Sequence, residues 1–141
     1  MVKQLTVFLP NKPGQLAAVT GLLAQNDVDI RALTVSETAD FGLLRLIVNK
    51  PEKALEALRE ASFLVDSTEV LAIEMRDVPG GLHEIAKTLG DANVNIEYLY
   101  AFAHPGTGAV LLLAPNDVKK AVEVLDRANV RLFSAEEVYS L

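Results

Sequence analysis

The chain repeats itself, and that constrains its fold more than any other feature. Pro10 to Leu16, PNKPGQL, returns as Arg76 to Leu82, RDVPGGL, 66 positions later. At the same shift Val28 and Ile30 of NDVDI fall on Val94 and Ile96 of NVNI, Gly42 on Gly108, and Leu46 on Leu112. One residue is then inserted, and KALEALREA, Lys53 to Ala61, falls on KAVEVLDRA, Lys120 to Ala128, at a shift of 67. The segments keep their order throughout. The chain therefore reads as two copies of one unit, residues 1–67 and 68–141.

Each copy shows the same succession of patterns. Leu5, Val7 and Leu9, matched by Leu71, Ile73 and Met75, alternate with period two, which means a strand. A Pro-Gly turn follows. Leu16, Val19 and Leu23, matched by Leu82, Ile85 and Leu89, then share one helix face. Two strand-like runs come next, Ile30 to Glu37 and Gly42 to Val48, with TADF between them as a turn and HPGT as its partner. A second helix carries Ala54, Leu55, Leu58 and Ala61, matched by Ala121, Val122, Leu125 and Ala128. A short strand, FLV from Phe63 and VRLF from Val130, closes each copy. Strand, helix, strand, strand, helix, strand is the split βαβ arrangement. The fold class is α+β: two tandem ferredoxin-like βαββαβ domains with antiparallel sheets and both helices on one sheet face.

Side-chain alternation assigns the faces. Leu33 and Val35, and Leu99 and Ala101, are expected toward the helices. Tyr98, Tyr100 and Phe102 then line the opposite face. In the next strand of each copy Leu44, Leu46, Val110 and Leu112 are expected toward the helices, leaving Leu43, Ile47, Leu111 and Leu113 on the face away from them. A sheet apolar on both sides is seldom left wet on one, so that face is expected to be covered by the other copy or by a second chain. Because Leu64–Leu71 resembles Leu132–Tyr139, residues 137–141 are expected to form an extra strand.

Composition narrows the function. With 13 Lys plus Arg against 19 Asp plus Glu, the net charge is −6. This argues against nucleic-acid and anionic-membrane partners, which need a concentrated basic surface. The absence of cysteine excludes disulfides, thiolate metal sites and a cysteine nucleophile. No signal-peptide pattern and no membrane-length apolar run is present, so a cytoplasmic protein is expected. No second histidine lies at helical or strand spacing from His83 or His104, and no metal is expected. None of Ser36, Ser62, Ser67, Ser134 and Ser140 lies in a nucleophile-elbow sequence, and no phosphate-cradling loop appears. No cofactor and no catalytic residue is assigned.

The turn after the first strand carries the most information. It reads Asn11-Lys12-Pro13-Gly14-Gln15-Leu16 and Asp77-Val78-Pro79-Gly80-Gly81-Leu82. Asn and Asp can accept backbone N–H groups at a helix start, Pro suits a first turn, and Gly allows close backbone approach. All of this also describes a well-made helix start. The functional reading is that the free N–H groups and positive dipole end of the helix receive a carboxylate.

With Val28-Asp29-Ile30 and Val94-Asn95-Ile96 where the next strands begin, the pattern resembles the ACT domain, a regulatory module that binds amino acids. The resemblance covers the chain once per copy, as in stand-alone tandem ACT proteins. It implies effector binding where one domain's turn meets the start of the second strand of a neighbouring domain. The residues implicated are Asn11, Pro13, Gly14, Gln15 and Leu16 with Asp29 and Ile30, and Asp77, Pro79, Gly80, Gly81 and Leu82 with Asn95 and Ile96. The expected function is a non-catalytic regulatory sensor of a small molecule, a free amino acid, acting as a homodimer. The alternative is an assembly or scaffold module whose loops bind nothing. A small enzyme on this fold would lack a nucleophile, a metal set and an acid–base pair.

Overall fold

The computed structural model describes residues 1–37, 40–106 and 108–141. In chain order the elements are β1 (Val2–Pro10), α1 (Gln15–Gln25), β2 (Ile30–Glu37), β3 (Phe41–Val48), α2 (Pro51–Glu60) and β4 (Leu64–Met75). They continue with α3 (Gly81–Asp91), β5 (Ile96–His104), β6 (Gly108–Pro115), α4 (Val118–Arg127) and α5 (Ala135–Tyr139). The fold is α+β, with βαββαβ-type units and antiparallel strand pairs. Two compact units are distinguished. The first holds residues 3–68 and 138–141, the second residues 1–2 and 69–137. Of the expected hairpin turns TADF and HPGT, Thr38, Ala39 and Thr107 lie outside the described residues.

In the first unit the strand order is β2-β3-β1-β4. Leu5 pairs with Leu46 and Val7 with Leu44. All four are buried in one cluster with Val19 and Leu23 of α1 and Ala54 and Leu58 of α2. This is the helix-covered face that alternation predicts. Leu33 pairs with Leu46 and Val35 with Leu44, so both point to that same face. They are nevertheless 45% and 50% exposed. β2 is the outermost strand of this order, and of its helix-side residues only Ile30, at its start, packs against the core.

The second unit corrects the register. Its strand order is β4-β6-β5, and Leu71 pairs with Leu113 and Ile73 with Leu111. Leu111 and Leu113 are therefore the helix-side residues, clustered with Ile85, Leu89, Ala121 and Leu125. Val110 and Leu112 face away, opposite Phe102 and Tyr100. The counterpart of Leu46 is Leu113, not Leu112. The inserted residue lies before β6, in the hairpin, rather than after it. A one-residue slip inverts every side chain of a strand, so the two faces of β6 exchange relative to expectation. Tyr98, Tyr100 and Phe102 do lie on the face away from the helices. Residues on that face are buried within the chain, among them Ile47 in the first unit and Val110 and Leu112 in the second.

The four long helices end alike. Asp27, Ser62, Asn93 and Asn129 all have φ between 56° and 67°. The next N–H reaches back five residues in each case, for example Val28 to the Leu23 carbonyl and Phe63 to the Leu58 carbonyl, both at 3.0 Å. These are Schellman closures.

The end of the chain departs from expectation twice. The last strand of the second copy is reduced to a single bridge, Leu132 to Ile73. Residues 135–139 are helix, not strand. The cause is a capping box: the Ser134 N–H donates to Glu137 Oε1 at 3.1 Å and the Glu137 N–H donates to Ser134 Oγ at 3.2 Å. The sequence Ser134-Ala135-Glu136-Glu137 carried that signal.

Candidate functional site

Both Pro-Gly turns adopt one conformation. Gly14 has φ 87° and ψ −7°, and Gly80 has φ 90° and ψ −8°. In the second copy the Gly81 N–H donates to the Val78 carbonyl at 3.0 Å, closing a type II turn with Pro79 and Gly80 at its centre. The positive φ explains the glycine, and the fixed φ of proline suits the position before it. A side chain at Gly14 or Gly80 would meet nothing within 4 Å, so the space in front of each is open. Gly81 differs: its Cβ would fall 2.1 Å from the Arg76 carbonyl. The first copy has Gln15 there, so the second turn is the tighter one.

The helices start at Gln15 and Gly81, with the glycines themselves at the cap position and no side-chain cap at either. Asn11 and Asp77 therefore do not cap, against expectation. Both are exposed, and among the described residues neither side chain makes a hydrogen bond. The first bond down each helix runs from Ala18 N–H to Gly14 O at 3.0 Å and from Glu84 N–H to Gly80 O at 3.1 Å. In the second copy the Gly81 N–H is taken by the Val78 carbonyl; the other N–H groups of each first turn are left for solvent or a ligand.

The electrostatics of the two turns differ. The first turn of α1 holds no acidic residue, whereas that of α3 holds Glu84. Arg76 Nη2 lies 2.6 Å from Glu84 Oε1, an exposed pair at the rim of the second turn. With Asp77 adjacent, the second copy presents more negative charge where a carboxylate would sit. A cavity of about 280 Å³ reaches this turn at Arg76 and Gly81, and its walls include Glu74, Glu84 and Arg131.

Leu16 and Leu82 were expected on the buried helix face. They are 41% and 42% exposed, the same in both copies, while Val19, Leu23, Ile85 and Leu89 are buried. The motif leucine thus stands outside each core, beside the open turn.

The starts of β2 and β5 are built as a matched pair. Asp29 N–H donates to Asn49 Oδ1 at 2.9 Å and Asn49 N–H donates to the Asp29 carbonyl at 3.0 Å. Asn95 and Asn116 repeat both bonds at 2.9 Å. Sequence pattern does not single out Asn49 and Asn116, although each directly follows its strand at the shift of 67 that also relates the second helices. Arg31 also pairs with Asp29 at 3.0 Å. Ile30 and Ile96 are half-buried against the two cores. Within one unit the turn and the start of the next strand lie at opposite ends of an 11-residue helix, about 16 Å apart along its axis. A unit therefore does not bring its own Asn11 to its own Asp29, or its own Asp77 to its own Asn95.

Among the described residues no group of three or more His, Asp or Glu side chains is placed to hold a metal ion. No described helix is long and apolar enough to cross a membrane.

Comparison with known proteins agrees with this architecture. No curated protein matches the chain. A protein from Bacteroides thetaiotaomicron, known by crystal structure, is 41% identical, with 99% of this chain and 96% of that chain covered and a TM-score of 0.94. The ligand-free regulatory subunit of aspartate kinase from Thermus thermophilus is 16% identical, with 89% and 91% covered and a TM-score of 0.63. The regulatory subunit of aspartate kinase from Thermus flavus is 14% identical, with 90% and 92% covered and a TM-score of 0.60. These two share the fold. The profile of the ACT domain pair family matches residues 1–141, and the chain belongs to that family.

Proposed function

We propose that this ACT domain pair, with domains 1–67 and 68–141, is a regulatory protein that binds a free amino acid at its Pro-Gly turns and catalyses no reaction. One observation carries the reading: the two turns hold closely matching backbone geometry, uncapped helix N-termini and open space in front of Gly14 and Gly80. The first-turn N–H groups without a backbone partner suit a carboxylate, one fewer of them in the second copy, where the Gly81 N–H is bonded to the Val78 carbonyl. The unbonded oxygen of Asn11 or Asp77 suits an ammonium. The first copy is the better carboxylate site, because α1 has no acidic first-turn residue and Asn11 is neutral. Leu16 and Leu82 supply exposed apolar surface beside the turns. Asp29, Ile30, Asn95 and Ile96 complete the sites from a neighbouring domain.

The exposed Leu33 and Val35 on an outermost strand support a homodimer, since such an edge is a template for pairing with a second chain. The same surface would serve the alternative reading, an assembly module.

A thermal-shift screen against the common amino acids separates the two, because a ligand of the folded state raises Tm by mass action. Titration of the responding amino acid into Asn11→Ala and Asp77→Ala then locates the site. A loss of a few-fold to roughly a hundred-fold is expected at the turn that binds. Unchanged affinity in both variants would reduce the turns to helix starts.

A further inference from the structure

We propose a second, separate ligand pocket in the second unit, between α4 and the Leu132–Phe133 segment, that takes a zwitterionic small molecule with an apolar side group. In the first unit the chain leaving α2 enters β4 and runs on as strand from Leu64 to Thr68. In the second it touches β4 only around one bridge. Glu74 N–H donates to the Arg131 carbonyl at 2.9 Å and Phe133 N–H to the Ala72 carbonyl at 2.8 Å, and the capping box then turns the chain into α5. A cavity of about 650 Å³ lies at this place, within the size range of small-molecule sites. It touches both Leu71 and Ala72, neighbours whose side chains point to opposite sheet faces, so it opens at the edge of the strand.

The walls are apolar and held in place. Leu71, Ala72 and Phe133 are buried, and the Arg131 guanidinium stacks over the Phe133 ring at 4.4 Å. Val118 and Val122, one turn apart on α4, line it with Leu132 and Met1. Two charged residues stand at the rim, Lys119 and Glu123, again one turn apart. Such a pair commonly closes on itself, as Lys87 and Asp91 do at 2.7 Å. Among the described residues Lys119 and Glu123 form no ion pair with each other or with any other group.

The Lys119 ammonium and the Glu123 carboxylate over an apolar floor define the ligand. A carboxylate would meet Lys119, an ammonium Glu123, and the side group the valines, leucines and Phe133. A simple anion would face Glu123 unpaired, and a simple cation would face Lys119. The first unit has no such set: at the shift of 67 its rim residues are Glu52 and Glu56, and Glu52 is paired with Lys3 at 2.7 Å.

The pocket is independent of the Pro-Gly turns and is tested apart from them. L-leucine, L-methionine and L-phenylalanine are titrated into the full chain by calorimetry, beside 3-phenylpropanoate and phenethylamine. The expected result is that an amino acid binds and the two single-charge analogues bind at least about ten-fold more weakly. Lys119→Gln and Glu123→Gln, both on the exposed side of α4, should each weaken the amino acid by roughly three- to thirty-fold, with Asn11→Ala and Asp77→Ala leaving that binding event unchanged. Two outcomes overturn the pocket. One is binding that only the Asn11 or Asp77 change weakens, which would place the ligand at a turn. The other is the absence, at millimolar concentration of all three amino acids, of any amide shift at Val118, Val122 and Phe133.

Discussion

Ser134 and Glu137 cap each other, each donating its backbone N–H to the other's side-chain oxygen, at 3.1 and 3.2 Å. Glu137 also pairs with Arg131, which in turn holds Glu74 at 2.9 Å. This reciprocal pair decides that the chain ends in helix rather than in strand.

Ser134→Ala is therefore expected to loosen α5 by about 1 kcal/mol, an ordinary cap loss. Native-state amide exchange at Val138 to Leu141 should accelerate. Exchange unchanged from the parent protein would show that packing of the fully buried Val138, not the cap, holds the helix.

Acid should loosen the same element. The Ser134 N–H, and after it the charge of Arg131, holds the Glu137 carboxyl below its ordinary value of 4.5, against an opposing effect of desolvation. A carboxyl lowered in the folded state contributes stability that is fully present above its unfolded value. That contribution is lost as pH falls through the lower folded value. The protection of α5 against exchange, corrected for the intrinsic pH dependence, should thus be constant above about pH 5 and fall below it relative to protection elsewhere. In Glu137→Gln this extra loss of protection should vanish.

Ser62 sits at φ 67° in the closure of α2, a conformation that suits glycine better than any residue with a Cβ. Ser62→Gly should stabilise the protein by roughly 0.5–1 kcal/mol. Tm should rise by about 2–4 °C. A fall in Tm would mean that the added freedom of the unfolded chain outweighs the relief of strain.

The glycines of the turns should separate by mechanism. Gly14→Ala and Gly80→Ala meet only the backbone penalty of positive φ, about 1–2 kcal/mol, because the space around each Cβ is open. Gly81→Ala drives its Cβ against the Arg76 carbonyl and must displace the backbone. It should destabilise more than either of the others in urea unfolding. Equal effects of Gly80→Ala and Gly81→Ala would indicate that the turn shifts freely.

The matched asparagines give a paired prediction. Asn49→Ala and Asn116→Ala each remove the acceptor of one backbone N–H, that of Asp29 and that of Asn95. Each should lose about 0.5–1.5 kcal/mol, with faster amide exchange at Asp29 or Asn95 in the altered copy alone. Faster exchange at both Asp29 and Asn95 in either single variant would show that the starts of β2 and β5 are coupled.

Local sequence is enough to establish the repeat, the order of elements, most of both cores and the location of the turns. Period two at Leu5, Val7 and Leu9 and the helical spacing of Val19 and Leu23 are short-range signals, and the structure keeps them. Pro-Gly likewise encodes the positive φ of Gly14 and Gly80, since glycine alone adopts it without strain. What depends on distant pairing is not legible in this way. The position of one inserted residue settles whether Leu111 or Leu112 faces the helices, and only the pairing of Leu71 with Leu113 fixes it. Apolar residues follow apolar residues along β6, so its hydrophobic pattern offers no parity to read. Leu33 and Val35 read as core by period, but exposure depends on how far the helices extend over an outermost strand. The cavity beside Phe133 exists because a four-residue capping box competes with strand continuation, and hydrogen bonds formed locally at Ser134 and Glu137 redirect the chain before a longer ladder can form.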